Sequence, residues 1–136
     1  VGRSGRLISE KLIPQIQELH QRLAGVYIEC LPYQEFITRY DRPDTLFYLD
    51  PPYWNCENDY GKGIFGKADF DELTKLLKGI KGKFIMSIND VPEIRRIFRA
   101  FYIMEVQTRY TIATKEIGQS KQAKELLIGN VDLSRL

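Results

Sequence analysis

The sequence predicts an α/β fold, a mostly parallel sheet with an antiparallel C-terminal hairpin. Three observations predict it. Apolar, β-prone runs at Thr45 to Leu49 and Lys83 to Ile88 alternate with stretches of helical period, the pattern of strands joined by crossover helices. The first of these runs stops abruptly on Asp50-Pro51-Pro52, because proline lacks an N–H and cannot continue a central strand. The last two β-prone runs are separated by a polar segment, which suggests two strands pairing as a hairpin.

Bulk properties narrow the class. With 136 residues the chain is long enough for one domain with a core, and a single domain over 1–136 is expected. Its 43% apolar and 28% charged residues are ordinary for a globular protein in water. The net charge of +2 gives no general attraction for nucleic acid, so any such role must come from local patches. Cys30 and Cys56 are too few for a disulfide framework and have no metal-ligand spacing, so reduced thiols and a cytoplasmic location are expected. No apolar run approaches the roughly 20 residues of a membrane span, and no signal peptide is visible. The chain opens on Val1-Gly2-Arg3-Ser4-Gly5 without a methionine, and reads as a piece of a longer protein.

The elements follow in order. Leu12, Ile16, Leu19 and Leu23 recur at helical steps and form one apolar stripe, with Ser9 as a possible cap, Pro14 in the first turn and Gly25 as the stop. His20 lies beside this stripe among polar neighbours and reads as a surface residue. Val26 to Glu29 reads as a short strand. Pro32 opens a helix carrying Tyr33, Phe36, Ile37 and Tyr40. Thr45 to Leu49 reads as a strand buried on both faces. Asn55 to Lys67 is a glycine-rich loop whose length marks it as functional or mobile rather than filler. Its Gly61-Lys62-Gly63 is no phosphate loop, since it neither follows a strand directly nor opens a helix. Lys62 and Lys67 are candidate phosphate contacts. Tyr60 and Phe65 either stack on a base or anchor the loop.

Asp69 with Glu72 suggests a capping box before a helix that buries Phe70, Leu73, Leu76, Leu77 and Ile80. Lys83 to Ile88 reads as a second internal strand with Asn89 and Asp90 at its carboxyl end. Asp90 is expected to cap the next helix, and Arg95, Arg96 and Arg99 to form its solvated face. Tyr102 to Thr111 and Glu125 to Ile128 are the hairpin strands. Thr114 to Lys124 between them reads as a polar loop tip or a basic phosphate contact.

The chemistry gathers at Asp50-Pro51-Pro52-Tyr53-Trp54. In an open α/β sheet the carboxyl ends of the strands are where ligands bind. An ionised Asp50 and the carbonyl of Pro51 are two acceptors for the two hydrogens of one amino group. Holding both hydrogens draws the nitrogen lone pair out of conjugation with an aromatic ring. Tyr53, with Trp54, offers a flat face for that ring. Adenine, cytosine or a side-chain amide would suit, and a base would first have to leave its stack at a cost of a few kcal/mol.

The tetrad Asp50-Pro51-Pro52-Tyr53 after an apolar strand resembles the catalytic motif of amino-group methyltransferases that use S-adenosylmethionine. Tyr33-Gln34-Glu35-Phe36-Ile37, Thr45 to Trp54, Phe84 to Asp90 and Glu125 to Asn130 together resemble the later two-thirds of the Dam-like (D12 class) DNA adenine methylases, above all the phage type. That resemblance implies a Rossmann-like S-adenosylmethionine-dependent methyltransferase sheet, present in part. It implies methyl transfer to N6 of a flipped adenine in double-stranded DNA by direct displacement, with no metal ion. It implies Asp50, Pro51, Pro52 and Tyr53 as catalytic residues. Leu31, Pro32, Tyr33 and Asp50 fall at cofactor positions, and Tyr53, Trp54, Tyr60, Lys62 and Phe65 at substrate positions.

Two departures from the family pattern stand out. Its glycine-rich cofactor loop, expected early in the chain, has no match before Leu46. Pro32-Tyr33 replaces an acid-aromatic pair. The chain therefore reads as the C-terminal part of a methylase, with 1–25 as the end of the target-recognition region and a linking helix. Bare sheet edges in such a fragment invite pairing with a second copy. Amino methylation of cytosine, RNA or a protein amide, and a folded fragment without activity, are the alternative readings.

Overall fold

The computed structural model describes residues 9–58, 61, 63–109 and 122–135. The chain divides into two compact units, 1–31 and 32–136. In the first unit, helix α1 (Ser9–Leu23) carries the expected apolar stripe, with Leu12, Ile16, Leu19 and Leu23 all exposed. Pro14 lies inside α1, beyond its first turn, because the helix begins five residues earlier, at Ser9. The helix ends in a turn at Ala24 and Gly25, where the Val26 amide donates to the Leu23 carbonyl at 2.9 Å.

The stretch 26–30 is not a strand. Tyr27 and Ile28 are 88% and 86% exposed. A β-prone sequence becomes a strand only when a neighbour takes up its N–H and C=O groups, and among the described residues none pairs with this segment.

Among the described residues, the second unit is a four-stranded sheet with helices on one face. Helix α2 (Tyr33–Tyr40) starts after Pro32, whose carbonyl accepts the Phe36 amide at 3.0 Å. Strand β1 (Leu46–Leu49), helix α3 (Lys67–Leu77), strand β2 (Lys83–Asn89), helix α4 (Pro92–Ile97), strand β3 (Tyr102–Arg109) and strand β4 (Gln122–Gly129) follow, with a 3-10 turn at Leu133–Arg135. The strand order is β1-β2-β4-β3. β1 and β2 are parallel, with α3 lying between them in sequence as the crossover. β4 runs antiparallel to both β2 and β3. The α/β class and the antiparallel C-terminal pair are both present. Parallel pairing, among the described residues, is confined to β1 and β2.

The period-2 alternation of a strand decides the core. Phe47 and Phe84, Met86 and Ile128, and Ile88 and Leu126 are cross-strand partners, and all six are buried. They pack with Ile37, Phe70, Leu73, Leu77, Ile94 and Phe98 from α2, α3, α4 and the residue after α4. β1 is not buried on both faces. Leu46 and Tyr48 are 60% and 67% exposed, because the described helices that pack on the sheet do so on the Phe47 face, and among the described strands β1 lies at the edge.

Backbone joints fix the register. The Lys83 amide donates to the Thr45 carbonyl at 2.8 Å. Asn130 extends the ladder with its side chain, accepting the Phe84 amide at 3.0 Å and donating to the Gly82 carbonyl at 2.9 Å. Gly82 and Gly129 permit this closeness, since a Cβ on either would lie 2.7–2.8 Å from a carbonyl oxygen.

Two helix starts differ from expectation. The cap residue of α3 is Gly66, and Asp69 sits at the third helical position, accepting the Gly66 amide at 2.8 Å. Glu72 instead pairs with Lys75 at 2.8 Å. Val91 is the cap residue of α4, because Pro92 in the first helical turn keeps the residue before it extended. Asp90 is thereby released to bind Arg95 with both oxygens, at 2.6 and 2.8 Å. Arg95 also reaches Glu105 at 2.6 Å, so it is an ion-paired residue and not part of a solvated face.

Candidate active site

Because β1 and β2 are parallel, both carboxyl ends lie at one end of the sheet, and β4 brings its first half to the same end. Asp50 follows β1 directly and is exposed. Its carboxylate accepts the Ser87 hydroxyl at 3.3 Å, and the Ser87 oxygen in turn accepts the Tyr48 hydroxyl at 3.3 Å. Ser87 and Tyr48 are polar groups on the open face of the sheet, so the carboxylate is oriented from a strand, not by the loop alone. Pro51, Pro52, Tyr53 and Trp54 are each half-buried.

The loop is tied down at two further points. The Tyr53 hydroxyl donates to Glu125 on β4 at 2.5 Å. The Trp54 amide donates to the Asn89 side-chain oxygen at 2.8 Å, and the Asn89 side-chain nitrogen donates back to the Trp54 carbonyl at 3.2 Å. The chain then turns, with the Cys56 amide bonded to the Tyr53 carbonyl at 2.8 Å and Asn55 at φ 71°. That positive φ is a conformation Asn tolerates better than most residues.

Aromatic packing anchors the rest. The Trp54 ring lies 5.3 Å from Phe70, with the Lys67 ammonium 4.8 Å from its centroid. Phe65 meets Phe70 edge-on at 4.9 Å and Tyr33 at 5.8 Å. A run of ring contacts therefore connects the start of α2 to the motif loop through α3. The Tyr33 hydroxyl lies 3.2 Å from the Asp69 carboxylate. Burial first, and the neighbouring Asp69 charge second, push the Tyr33 phenol up to about 12.

Among the sequence-predicted residues, Asp50, Pro51, Pro52, Tyr53 and Trp54 thus share one anchored loop, and Trp54, Phe65 and Tyr33 share one aromatic run. Phe65 packs among rings, as an anchor of its loop would. Tyr60 and Lys62 lie outside the described residues. Leu31 is half-buried as the last residue of the first unit, and Pro32 is exposed. Ser87, Asn89 and Glu125 also reach this loop as side chains, beyond the residues that the motif itself marks. The available signal was a polar residue interrupting or flanking an apolar strand: serine inside Phe84-Ile85-Met86-Ser87-Ile88, and glutamate at the head of Glu125-Leu126-Leu127-Ile128.

The family model of the D12 class N6 adenine-specific DNA methyltransferases matches residues 7–112. The chain belongs to this family. It is also similar to the Type II methyltransferase M.CviBI of Paramecium bursaria Chlorella virus NC1A, with 28% identity over 93 residues. That match covers 67% of this chain and 36% of the viral protein, so the chain spans little more than a third of its relative's length. Membership of the D12 class gives the strand-end loop its chemical context, because this family's reactions require a methyl donor. No described helix is long and apolar enough to cross a membrane.

Proposed function

We propose that the chain is the C-terminal, motif-bearing part of an adenine-specific DNA methyltransferase that moves a methyl group from S-adenosylmethionine to N6 of an adenine flipped out of double-stranded DNA. The observation that carries this reading is the Asp50–Tyr53 loop, with an exposed carboxylate at a strand's carboxyl end and an aromatic ring anchored beside it. The Asp50 carboxylate and the Pro51 carbonyl accept the two amino hydrogens. The nitrogen lone pair then points away from the ring plane. Tyr53 lies against the base and Trp54 backs the loop. The nitrogen gains a methyl group and loses one proton, which an exposed site can pass to water.

The residues at hand suit the methyl donor. Asp50 offers an anion to a cationic sulfonium compound, and Tyr33, half-buried, offers a ring face. Leu31 and Pro32 stand next to Tyr33 in sequence and belong to the same proposed cofactor stretch. S-adenosylmethionine supplies an electrophilic methyl group when bound. Tyr60 and Lys62 are proposed to serve the DNA side of the site, on the loop that Phe65 anchors. We place 1–136 in one catalytic domain, with 1–25 as the end of a target-recognition region and a linking helix. A cytoplasmic, bacterial or phage-encoded role in restriction-modification is consistent with these assignments.

A second copy of the chain is proposed as a further partner. The outer edge of β1 has no strand partner among the described residues, and Leu46 and Tyr48 beside it are exposed.

Labelled methyl transfer to unmethylated duplex DNA tests the function. The wild-type chain is expected to incorporate label, and Asp50→Ala to lose at least about a hundredfold, since a preorganised acceptor at the reacting nitrogen is removed. Label retained in the alanine variant refutes the role given to Asp50.

A further inference from the structure

We propose that Glu125 and Asn89 are positioning residues that together fix the motif loop, Glu125 through the Tyr53 hydroxyl and Asn89 through the Trp54 peptide. The use made of that fixed loop, holding a base, rests on the function proposed above.

Asn89 and Glu125 are direct cross-strand partners on β2 and β4. Their two anchors therefore come from one rung of the sheet. Loop residues after a proline pair have no ladder to hold them. Asn89 provides a substitute, because its amide accepts the Trp54 N–H and donates to the Trp54 carbonyl, as a paired strand would. Tyr53 has two side-chain torsions, and its ring plane stays loose until the far end is held. Glu125 holds that end at 2.5 Å. Glu125 is only 9% exposed, and a buried carboxylate is costly unless hydrogen-bonded. The phenol is one donor to the buried glutamate, and the glutamate holds the far end of the ring. Charge-assisted bonds of this kind are the stronger, more directional class.

Asp50 is oriented from the same strand as Asn89. The Ser87 hydroxyl that orients Asp50 sits two residues before Asn89 on the same face of β2. A single strand thus aligns the acceptor for the amino group and the peptide next to the stacking ring. Reactions that depend on such alignment lose about a hundredfold for a misplacement of roughly 1 Å.

Nuclear magnetic resonance on the full chain reads the anchors without any reaction. In Asn89→Ala the Trp54 amide is expected to exchange with solvent at least tenfold faster. In Glu125→Leu the Tyr53 ring is expected to flip fast enough to average its paired resonances, while Glu125→Gln, which keeps an acceptor, retains the wild-type pattern. The Gln variant guards against misfolding, since its melting curve should match the wild type.

In methyl transfer, Asn89→Ala and Glu125→Leu are expected to lower kcat about tenfold to a hundredfold with KM for S-adenosylmethionine unchanged. Glu125→Gln should recover most of the rate, and Tyr53→Phe combined with Glu125→Leu should cost no more than the larger single effect. Unchanged Trp54 exchange and Tyr53 ring motion in the Ala and Leu variants overturn the proposal. So does a loosened loop with an unchanged kcat. A wild-type chain that transfers no methyl group contradicts the function reading, and the exchange and ring-flip results then still decide whether the anchors exist.

Discussion

At the scale of single residues, Asp50 and Asp90 show how two carboxylates at neighbouring strand ends acquire different roles. Asp50 is exposed, with one hydroxyl donor, and is open to a ligand. Asp90 is gripped by the Arg95 guanidinium, which holds its carboxyl below the usual carboxylate range. The same contact holds the Arg95 charge more firmly, with Glu105 adding to it. Lys124 adds a further positive charge near Asp90. A carboxylate whose pKa is lowered on folding stabilises the fold above its unfolded value, and that contribution fades as pH falls through the folded value. Asp90→Asn is therefore expected to be less stable than the wild type in urea near pH 6. The difference should begin to shrink below about pH 4, where the carboxyl of the unfolded chain takes up a proton, and vanish only as pH falls through the lower value of the folded state. A gap between the two proteins that is constant from pH 7 to 3 contradicts the ion-pair account. Arg95 was legible in the sequence only as one of several basic helix residues, because its partner arises from a proline-set cap shift and from a strand ten residues later.

At the scale of elements, α3 supports the motif loop from below. Phe70 is fully buried and touches both Trp54 and Phe65. Replacing it with alanine is expected to cost about 3–5 kcal/mol, from lost transfer energy plus the cavity left behind. Trp54 fluorescence should shift toward that of an exposed indole in the same variant. Urea denaturation with Trp54 emission as the signal reads both effects, and a loss below 1 kcal/mol contradicts this packing.

Elements whose signals were local were readable in advance. The apolar period of α3, the proline before α2 and the stop at Asp50 all rest on neighbours within one turn. Elements that depend on distant partners were not. The β-prone residues 26–29 lack a pairing strand among the described residues, and β1 is an edge where an apolar run suggested an interior. For the site, the loop was legible because proline, acid and aromatics announce themselves. Its anchors at Ser87, Asn89 and Glu125 were not, because their reach depends on the β2–β4 register, which is set 35 or more residues away in the chain.

At the scale of the molecule, the second unit is, among the described residues, a sheet covered on one face, with a short apolar outer strand. The sequence Leu46-Phe47-Tyr48-Leu49 carries none of the usual guards of an edge, neither charge nor proline within the strand. The account predicts reversible self-association that strengthens with concentration and weakens when Tyr48 is replaced by lysine. Sedimentation velocity over a hundredfold range of concentration measures this, and a monomer throughout refutes pairing through β1. A lysine at 48 also removes the hydroxyl that donates to Ser87, so Tyr48→Phe serves as the control for that bond.

Asp50, Pro51 and Tyr53 are proposed to hold the amino group of an adenine in DNA for methylation. The most direct measurement of this is the identity of the base that gains a methyl group when the chain, labelled S-adenosylmethionine and unmethylated duplex DNA are incubated, digested to nucleosides and separated. The account predicts label in N6-methyldeoxyadenosine with the wild type and none with Asp50→Ala. Label in a methylated cytosine, equal adenine labelling by Asp50→Ala, or no labelled base with the wild type contradicts it.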